Sequence, residues 1–389
     1  MDSTLLIAGG TVVSSFGMST DTGVLVRESR IAEVGPTRDI LRRNPGRIID
    51  ARGTIVAPGF IDIHIHGSAG YDTMDATSSA LARIAEFVSS HGVTGFLPTV
   101  MSSPIERMLA ATRAAAQAAR ARKGAQVLGI NVEGPFLNPS FKGAQPEEGI
   151  TGPDMAILHR ILEAGGGNVR VMTIAPEMPG AMEIVKKLAS QGVLTSVGHS
   201  GASYDDIKNA VEAGLRHVTH TYNGMLGLHH REPGVVGAAL VHGELTCEII
   251  ADGIHVHPVA VKLLAQAKGP EGTVLMTDAM RAAGLPDGHY ELGGQHVIVT
   301  GGAARLDTGV LAGSTLTMDT AVRNMVEFAG APLHAAIAMA SSTPARLIGL
   351  ADRKGRIEPE MDADIVLLDA ETLQVKTTLV MGEAVYERK

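Results

Sequence analysis

The chain has 389 residues, 45% of them hydrophobic, with a formal charge of −8, one cysteine and 15 histidines. That length and apolar content allow a large core, in two or three small domains or in one α/β barrel. The acidic balance and the lack of a long basic run exclude nucleic acid and anionic membrane as expected partners. The single cysteine, Cys247, rules out a disulfide within the chain, so a reducing, cytoplasmic setting is expected.

The first residues, Met1-Asp-Ser-Thr-Leu-Leu-Ile-Ala-Gly-Gly, lack a basic segment leading into a long apolar one and do not read as a signal peptide. No window approaches the roughly 18 apolar residues of a membrane-spanning helix. Residues 4–13, 23–35 and 48–50 read as short strands between glycine turns. The same texture returns at 364–369, 375–382 and 384–386. Strand-rich ends around a different middle predict one small β domain built from both termini, residues 1–53 and 355–389.

The middle, 54–354, alternates short apolar runs with helical patterns. The predicted strands are Val56–His66, Gly95–Val100, Val127–Glu133, Val169–Ala175, Leu194–His199, His217–Tyr222, Cys247–Asp252 and Val274–Asp278. Helices are predicted at Ser78–Ser90, Pro104–Arg122, Pro153–Ala164, Ala181–Gln191, Tyr204–Ala213 and Pro258–Ala267, with a late one near Leu316–Phe328. A hairpin-like insertion spans Gly293–Ala312. The glycine-rich stretches Gly165-Gly-Gly and Gly293-Gly fit no phosphate-loop spacing and read as turns. Eight βα units predict an α/β fold: a (β/α)8 TIM-type barrel carrying a small β-sandwich domain made of the two chain ends.

Chemistry in such barrels collects at the C-terminal ends of the strands. There this chain carries His64, His66, Glu133, His199, His220 and Asp278, with Asp252 and His255 after the seventh strand. His64 and His66 are two residues apart, so a regular strand places both on one face, about 7 Å apart along the chain. Several uncompensated polar groups buried in one place would be costly unless something completes them. A mixture of imidazole and carboxylate suits Zn²⁺ or Fe²⁺ better than Mg²⁺ or Ca²⁺. Two divalent ions bridged by Glu133 would use the whole set; one ion on Glu133, His199 and His220 is the economical alternative. Either would acidify a bound water and polarise a carbonyl. Asp278 is placed to move that water's proton, or to act as a further ligand. Asn223-Gly224 and His229-His230-Arg231-Glu232-Pro-Gly form a loop suited to an anionic substrate, since arginine forks onto phosphate and glycine admits a close backbone approach.

The run Pro58-Gly-Phe-Ile-Asp-Ile-His-Ile-His-Gly67 resembles the first metal motif of the amidohydrolase superfamily. Within that superfamily the chain resembles the N-acetylglucosamine-6-phosphate deacetylases. The likeness rests on Val132-Glu-Gly-Pro-Phe136, Val197-Gly-His-Ser200, Thr219–Met225, His230–Gly234, Ile250–Val256, Thr277-Asp-Ala-Met280 and Leu311–Met318, in that order along nearly the whole chain. It implies hydrolysis of the acetamide of N-acetylglucosamine 6-phosphate. It also implies a metal on Glu133, His199 and His220, with His64 and His66 matching those members that hold a second ion. Asp278 would be general base and then acid. Ala144, Gln145, Asn223, Gly224, Arg231, Asp252, His255, Leu311, Ala312 and Gly313 match substrate-contacting positions, with Arg231 and His255 toward the phosphate. A homodimer in which the neighbouring subunit supplies a phosphate contact is implied as well.

Two residues depart from the family's pattern. Gln145 stands where some members have a histidine that reaches the acetyl carbonyl; its NH2 can still donate there. Gly224 replaces an alanine. Both leave the galactosamine epimer open as substrate. The rival expectations are another amidohydrolase acting on a cyclic amide or an N-acyl amino acid, and a catalytically silent barrel scaffold.

Overall fold

The computed structural model describes residues 4–14, 17–43, 45–118 and 124–388. Eight parallel strands follow one another in space as they do in sequence: Phe60–Ile65, Val93–Met101, Ile130–Glu133, Val169–Ile174, Leu194–Val197, His217–Val218, Thr246–Ile249 and Thr273–Leu275. The eighth strand reaches the first at the rim, where Asp278 N–H donates to His64 O and His66 N–H donates to Ala279 O, both at 2.9 Å. This is the expected barrel.

Every strand but the second and third ends earlier than its apolar run suggests; the second ends at Met101, one residue later. His66, His199, His220, Asp252 and Asp278 therefore lie on the turns beyond the strands rather than within them. The stretch expected as one strand, Val56–His66, is two. Thr54–Pro58 runs parallel to Thr11–Val12 and antiparallel to Ile365–Asp369, in the sheet of the chain ends, and the barrel begins at Phe60. That sheet is ordered 383–387, 375–380, 365–369, 54–58, 4–14, 17–27 and 30–36, so both termini build it together. The change of sheet occurs at Gly59, where a Cβ would lie 2.2 Å from the Thr94 side chain.

Local signals set most helices. Ser203 accepts from Asp206 N–H while the Asp206 carboxylate accepts from Ser203 N–H, a reciprocal cap that starts Tyr204–Ala213; left-handed Gly214 ends it. The helix expected over Pro104–Arg122 is described as Ile105–Ala118, and its last residues, 119–122, lie outside the described residues. The Pro258 helix runs to Gly272 across a kink at Gly269-Pro270. Gly234–Val241 is helical without having been expected so. Its sequence, Gly-Val-Val-Gly-Ala-Ala-Leu-Val, is apolar nearly all round, so no 3.6-residue period shows. Two further short helices, Leu333–Met339 and Ser342–Leu347, close the barrel segment.

The insertion is a three-stranded meander, Gly288–Leu292, Gln295–Thr300 and Ala303–Leu306. Its two-residue turns are Gly293-Gly294 and Gly301-Gly302, all four with positive φ, as tight hairpin turns of the mirror-image types require. The main core packs helices against the barrel strands. A second apolar cluster joins Ile61, Ile63, Leu97, Val171 and Val274 to Ala345 and Ile348. It supplies the rigid, dry base on which the polar rim stands.

Candidate metal centre and substrate cavity

Glu133, the last residue of the third strand, is the hub. Its Oε1 lies 2.9 Å from His199 Nε2 and 3.0 Å from His220 Nε2. Its Oε2 lies 3.3 Å from His66 Nε2 and 3.7 Å from His64 Nε2. Asp278 Oδ1 approaches the same pair, 3.2 Å from His66 Nε2 and 3.5 Å from His64 Nε2. The six residues are buried and come from five strand ends. His199, His220 and Asp278 hold φ values of 48°, 29° and 49°, in the left-handed region that non-glycine residues seldom enter. Such backbone persists only where the surroundings impose it, and it turns these side chains inward off the strand ends.

The proton positions follow from the partners. His199 Nδ1 donates to Phe141 O and His220 Nδ1 to Asn223 O, each at 3.0 Å. Both Nε2 atoms then present lone pairs to a carboxylate oxygen and to each other, 3.1 Å apart. Three acceptors this close are held together only by a cation or a proton. On the other side, His64 Nε2 is buried with no hydrogen-bond partner. Ligand atoms from His64, His66 and Glu133, and from Glu133, His199 and His220, each gather within 4.8 Å of one another. The donor chemistry fits a divalent metal, and the set as a whole fits two positions sharing Glu133.

The electrostatics agree. Burial pushes the Glu133 carboxyl up, but His64, His199 and His220 hold it well below its usual value. Burial opposes charge on His66, yet Asp278 and Glu133 raise it to about 10. Asp278 is likewise lowered against its burial by His66 and His64. The cluster attracts positive charge strongly.

A cavity of about 250 Å³ opens over the cluster. Of the residues matching substrate positions, Ala144, Gln145, Asn223, Gly224, His255, Leu311 and Gly313 line it, together with Met101, Leu292 and Val310. Asp252 stands behind: it accepts from Ile254 N–H, His255 N–H and His255 Nδ1 at 2.8, 2.8 and 2.7 Å, and so aims His255. Ala312 is fully buried beside the wall. Arg231 does not line the cavity; it is exposed, with Nη1 2.7 Å from His230 Nε2. Gln145 is already engaged: its Nε2 donates to Glu133 Oε2 at 2.6 Å and its Oε1 accepts from Ser102 N–H at 2.9 Å. Gly224 has φ +60°, and a Cβ there would stand 3.1 Å from His199 Nδ1, so the glycine suits this backbone better than alanine.

Sequence reasoning missed three residues below the rim, Glu248, Asp62 and Asn131. Glu248, fully buried in the seventh strand, accepts from His64 Nδ1, His217 Nε2 and His220 N–H, each at 3.1 Å. Asp62 accepts from Thr277 Oγ1 at 2.6 Å and from the amides of His64 and Thr277 at 3.3 Å; burial pushes its carboxyl up to about 7 against those bonds. Asn131 Nδ2 donates to Ile63 O at 3.0 Å. The signal available was a polar residue in the middle of an otherwise apolar barrel strand, which must find a partner inside.

The amidohydrolase family's sequence profile matches residues 55–385. The chain belongs to the amidohydrolase family. It is 42% identical to the N-acetylgalactosamine-6-phosphate deacetylase of Escherichia coli O157:H7, over 87% of this chain and 90% of that one. It is 38% identical to the N-acetylglucosamine-6-phosphate deacetylase of Lysinibacillus sphaericus over 96% of each. Among solved structures, it superimposes with a TM-score of 0.91 on a mutant N-acetyl-D-glucosamine-6-phosphate deacetylase of Mycobacterium smegmatis in complex with N-acetyl-D-glucosamine-6-phosphate. That protein is 34% identical, with 98% of this chain and 99% of the other covered. The Lysinibacillus sphaericus relative and the Mycobacterium smegmatis structure share nearly their whole length with this amidohydrolase.

Proposed function

We propose that this amidohydrolase removes the acetyl group of N-acetylglucosamine 6-phosphate, giving glucosamine 6-phosphate and acetate. The observation that carries the reading is Glu133 facing two histidine pairs, with Asp278 beside one of them, at the base of a cavity large enough for a hexose phosphate. Two divalent ions, Zn²⁺ or Fe²⁺, would be held by His64, His66, Glu133 and Asp278 on one side and by Glu133, His199 and His220 on the other. Bound there, they supply an acidified water and polarise the acetyl carbonyl.

This chain's own residues do the rest. Asp278 takes the proton of the attacking water and delivers it to the departing amine. Gln145, anchored by Ser102, keeps Glu133 in place and retains a second N–H for the acyl oxygen. Asn223, Gly224 and the Asp252-aimed His255 set the sugar phosphate in position. Arg231, exposed on this chain, meets the phosphate held in a neighbouring subunit of a homodimer. Exposed apolar side chains support an assembly: Leu228 (57% exposed), Val241 (67%) and Val259 (69%), along with Leu226, Ile254 and Leu263. Among the described residues no helix is long and apolar enough to cross a membrane, and the lone, buried Cys247 fits the cytoplasm.

A second reading, N-acetylgalactosamine 6-phosphate as substrate, is favoured by the 42% identity to the N-acetylgalactosamine-6-phosphate deacetylase of Escherichia coli O157:H7. Acetate release from the two phosphate esters and from unphosphorylated N-acetylglucosamine, with metal analysis of the same sample, decides between them. Release from the glucosamine ester first is expected. Faster release from its epimer would reassign the sugar, and release from neither would sink the deacetylase reading.

A further inference from the structure

The histidines of the two proposed metal positions are held in different ways. His199 and His220 each give their Nδ1 proton to a backbone carbonyl of a nearby loop, which no side-chain change removes. His64 gives its proton to a side chain, the Glu248 carboxylate, across the barrel from the first strand to the seventh. A carboxylate is an acceptor only, so the proton must sit on Nδ1 and the bare Nε2 must face Glu133 and Asp278. Glu248 is fully buried, and its bonds run to His64, His217 and the His220 amide. Its backbone oxygen also takes Thr221 N–H at 3.0 Å. One carboxylate thus touches the side chain of one triad and the main chain of the other, beneath the Glu133 that joins them above.

We infer that Glu248 is a positioning residue for the ion on His64 and His66: by fixing the His64 tautomer and ring, it decides whether that second position fills. The inference rests on the two-ion reading above. Its physical basis is the general rule that a carboxylate on the far nitrogen of a ligating imidazole sets its orientation and basicity. A glutamine in its place offers one acceptor and one donor to two imidazoles. If the donor meets His64, the imidazole proton moves to Nε2 and blocks the ligand position; if it meets His217, the strand-to-strand tie is altered and His64 loses the charged acceptor.

The test is metal binding rather than turnover. Metal-free wild type and Glu248→Gln would be titrated with Co²⁺, reading bound equivalents and the visible absorption of each. Wild type is expected to take two equivalents, and Glu248→Gln to keep one at wild-type affinity while the other weakens about 10- to 100-fold. In a His64→Ala background, adding Glu248→Gln should change nothing further, because the effect runs through His64. A purely structural carboxylate would weaken the remaining equivalent there too, and that result overturns the inference. So does a Glu248→Gln protein that takes both equivalents as wild type does, although the two-ion reading would then stand. If wild type itself takes only one equivalent, both fall. Should Glu248→Gln fail to fold, Glu248→Asp keeps the charge but draws it back by one methylene, and the same loss of one equivalent is expected.

Discussion

Two buried charged clusters in this molecule look alike by composition and differ in completeness. Below the barrel, at the join with the sheet of the chain ends, Lys354 Nζ meets Gln126 Oε1 at 2.6 Å, Asp362 Oδ2 at 3.1 Å and Asp364 Oδ2. Asp362 also takes Arg353 at 3.0 Å, and Asp364 Oδ1 takes Met381 N–H at 2.8 Å. Each ammonium proton has an acceptor, so the cluster closes on itself. At the rim, Glu133 and Asp278 face four imidazoles, His64 Nε2 has no hydrogen-bond partner, and His199, His220 and Asp278 sit on left-handed backbone. A buried charge cluster that the chain completes is a fastener. One that the chain leaves short of positive charge, and strains its backbone to assemble, is a receptor for an ion.

Substitutions can break that contrast, and the largest effect should come at the rim. Asp278→Asn removes the proposed proton carrier and should lower kcat by about 10³-fold or more, with metal content near that of wild type. Unchanged turnover would strip Asp278 of its role. In the seam cluster, Lys354→Ala leaves the buried Asp364 without a cation and Asp362 with Arg353 alone, and should cost about 3–5 kcal/mol in urea unfolding, with normal kcat per folded molecule. A large loss of kcat there would show that the seam is not merely a fastener.

A smaller, pH-dependent effect separates the clusters again. In ion-free protein His66 is raised to about 10, above its usual 6.5. Its contribution to stability is therefore complete below about pH 6.5 and is lost as pH rises through 10. The Tm of stripped protein should fall between pH 7 and 10 more steeply than that of protein loaded with Zn²⁺, where the ion replaces the proton. Equal slopes would contradict a proton standing in for the ion. The mildest change is expected for Arg231→Ala, which should raise KM about tenfold with little change in kcat, because phosphate lies far from the bond broken. Equal cleavage of phosphorylated and free sugar by wild type would remove the phosphate assignment altogether.

How much was legible can be argued residue by residue. The rim set was readable because each donor follows an apolar strand run, and barrel geometry brings strand ends to one place whatever lies between them. The insertion was readable as hairpin-like from Gly293-Gly294, but not as three strands that begin at Gly288. Arg231 was readable as an anion-binding residue from its loop chemistry and from the resemblance, but on the single chain it is exposed and does not line the cavity. The helix Gly234–Val241 was hidden because a segment apolar on all sides carries no period.

By itself, the order of residues determined the barrel, a small β domain built from both chain ends, and which six polar residues gather at the rim, all of which follow from local patterning and from parallel strands running the same way. Only the tertiary structure decided the rest. It set which oxygen of Glu133 faces which histidine pair, which nitrogen of each imidazole carries the proton, that Gln145 is tied to Glu133, and that Glu248, 184 residues from His64 in sequence, holds it. Apart from the His220–Asn223 and Gln145–Glu133 bonds, those contacts join segments far apart in the chain, fixed by register and closure, and nothing in the local sequence around either partner encodes the other.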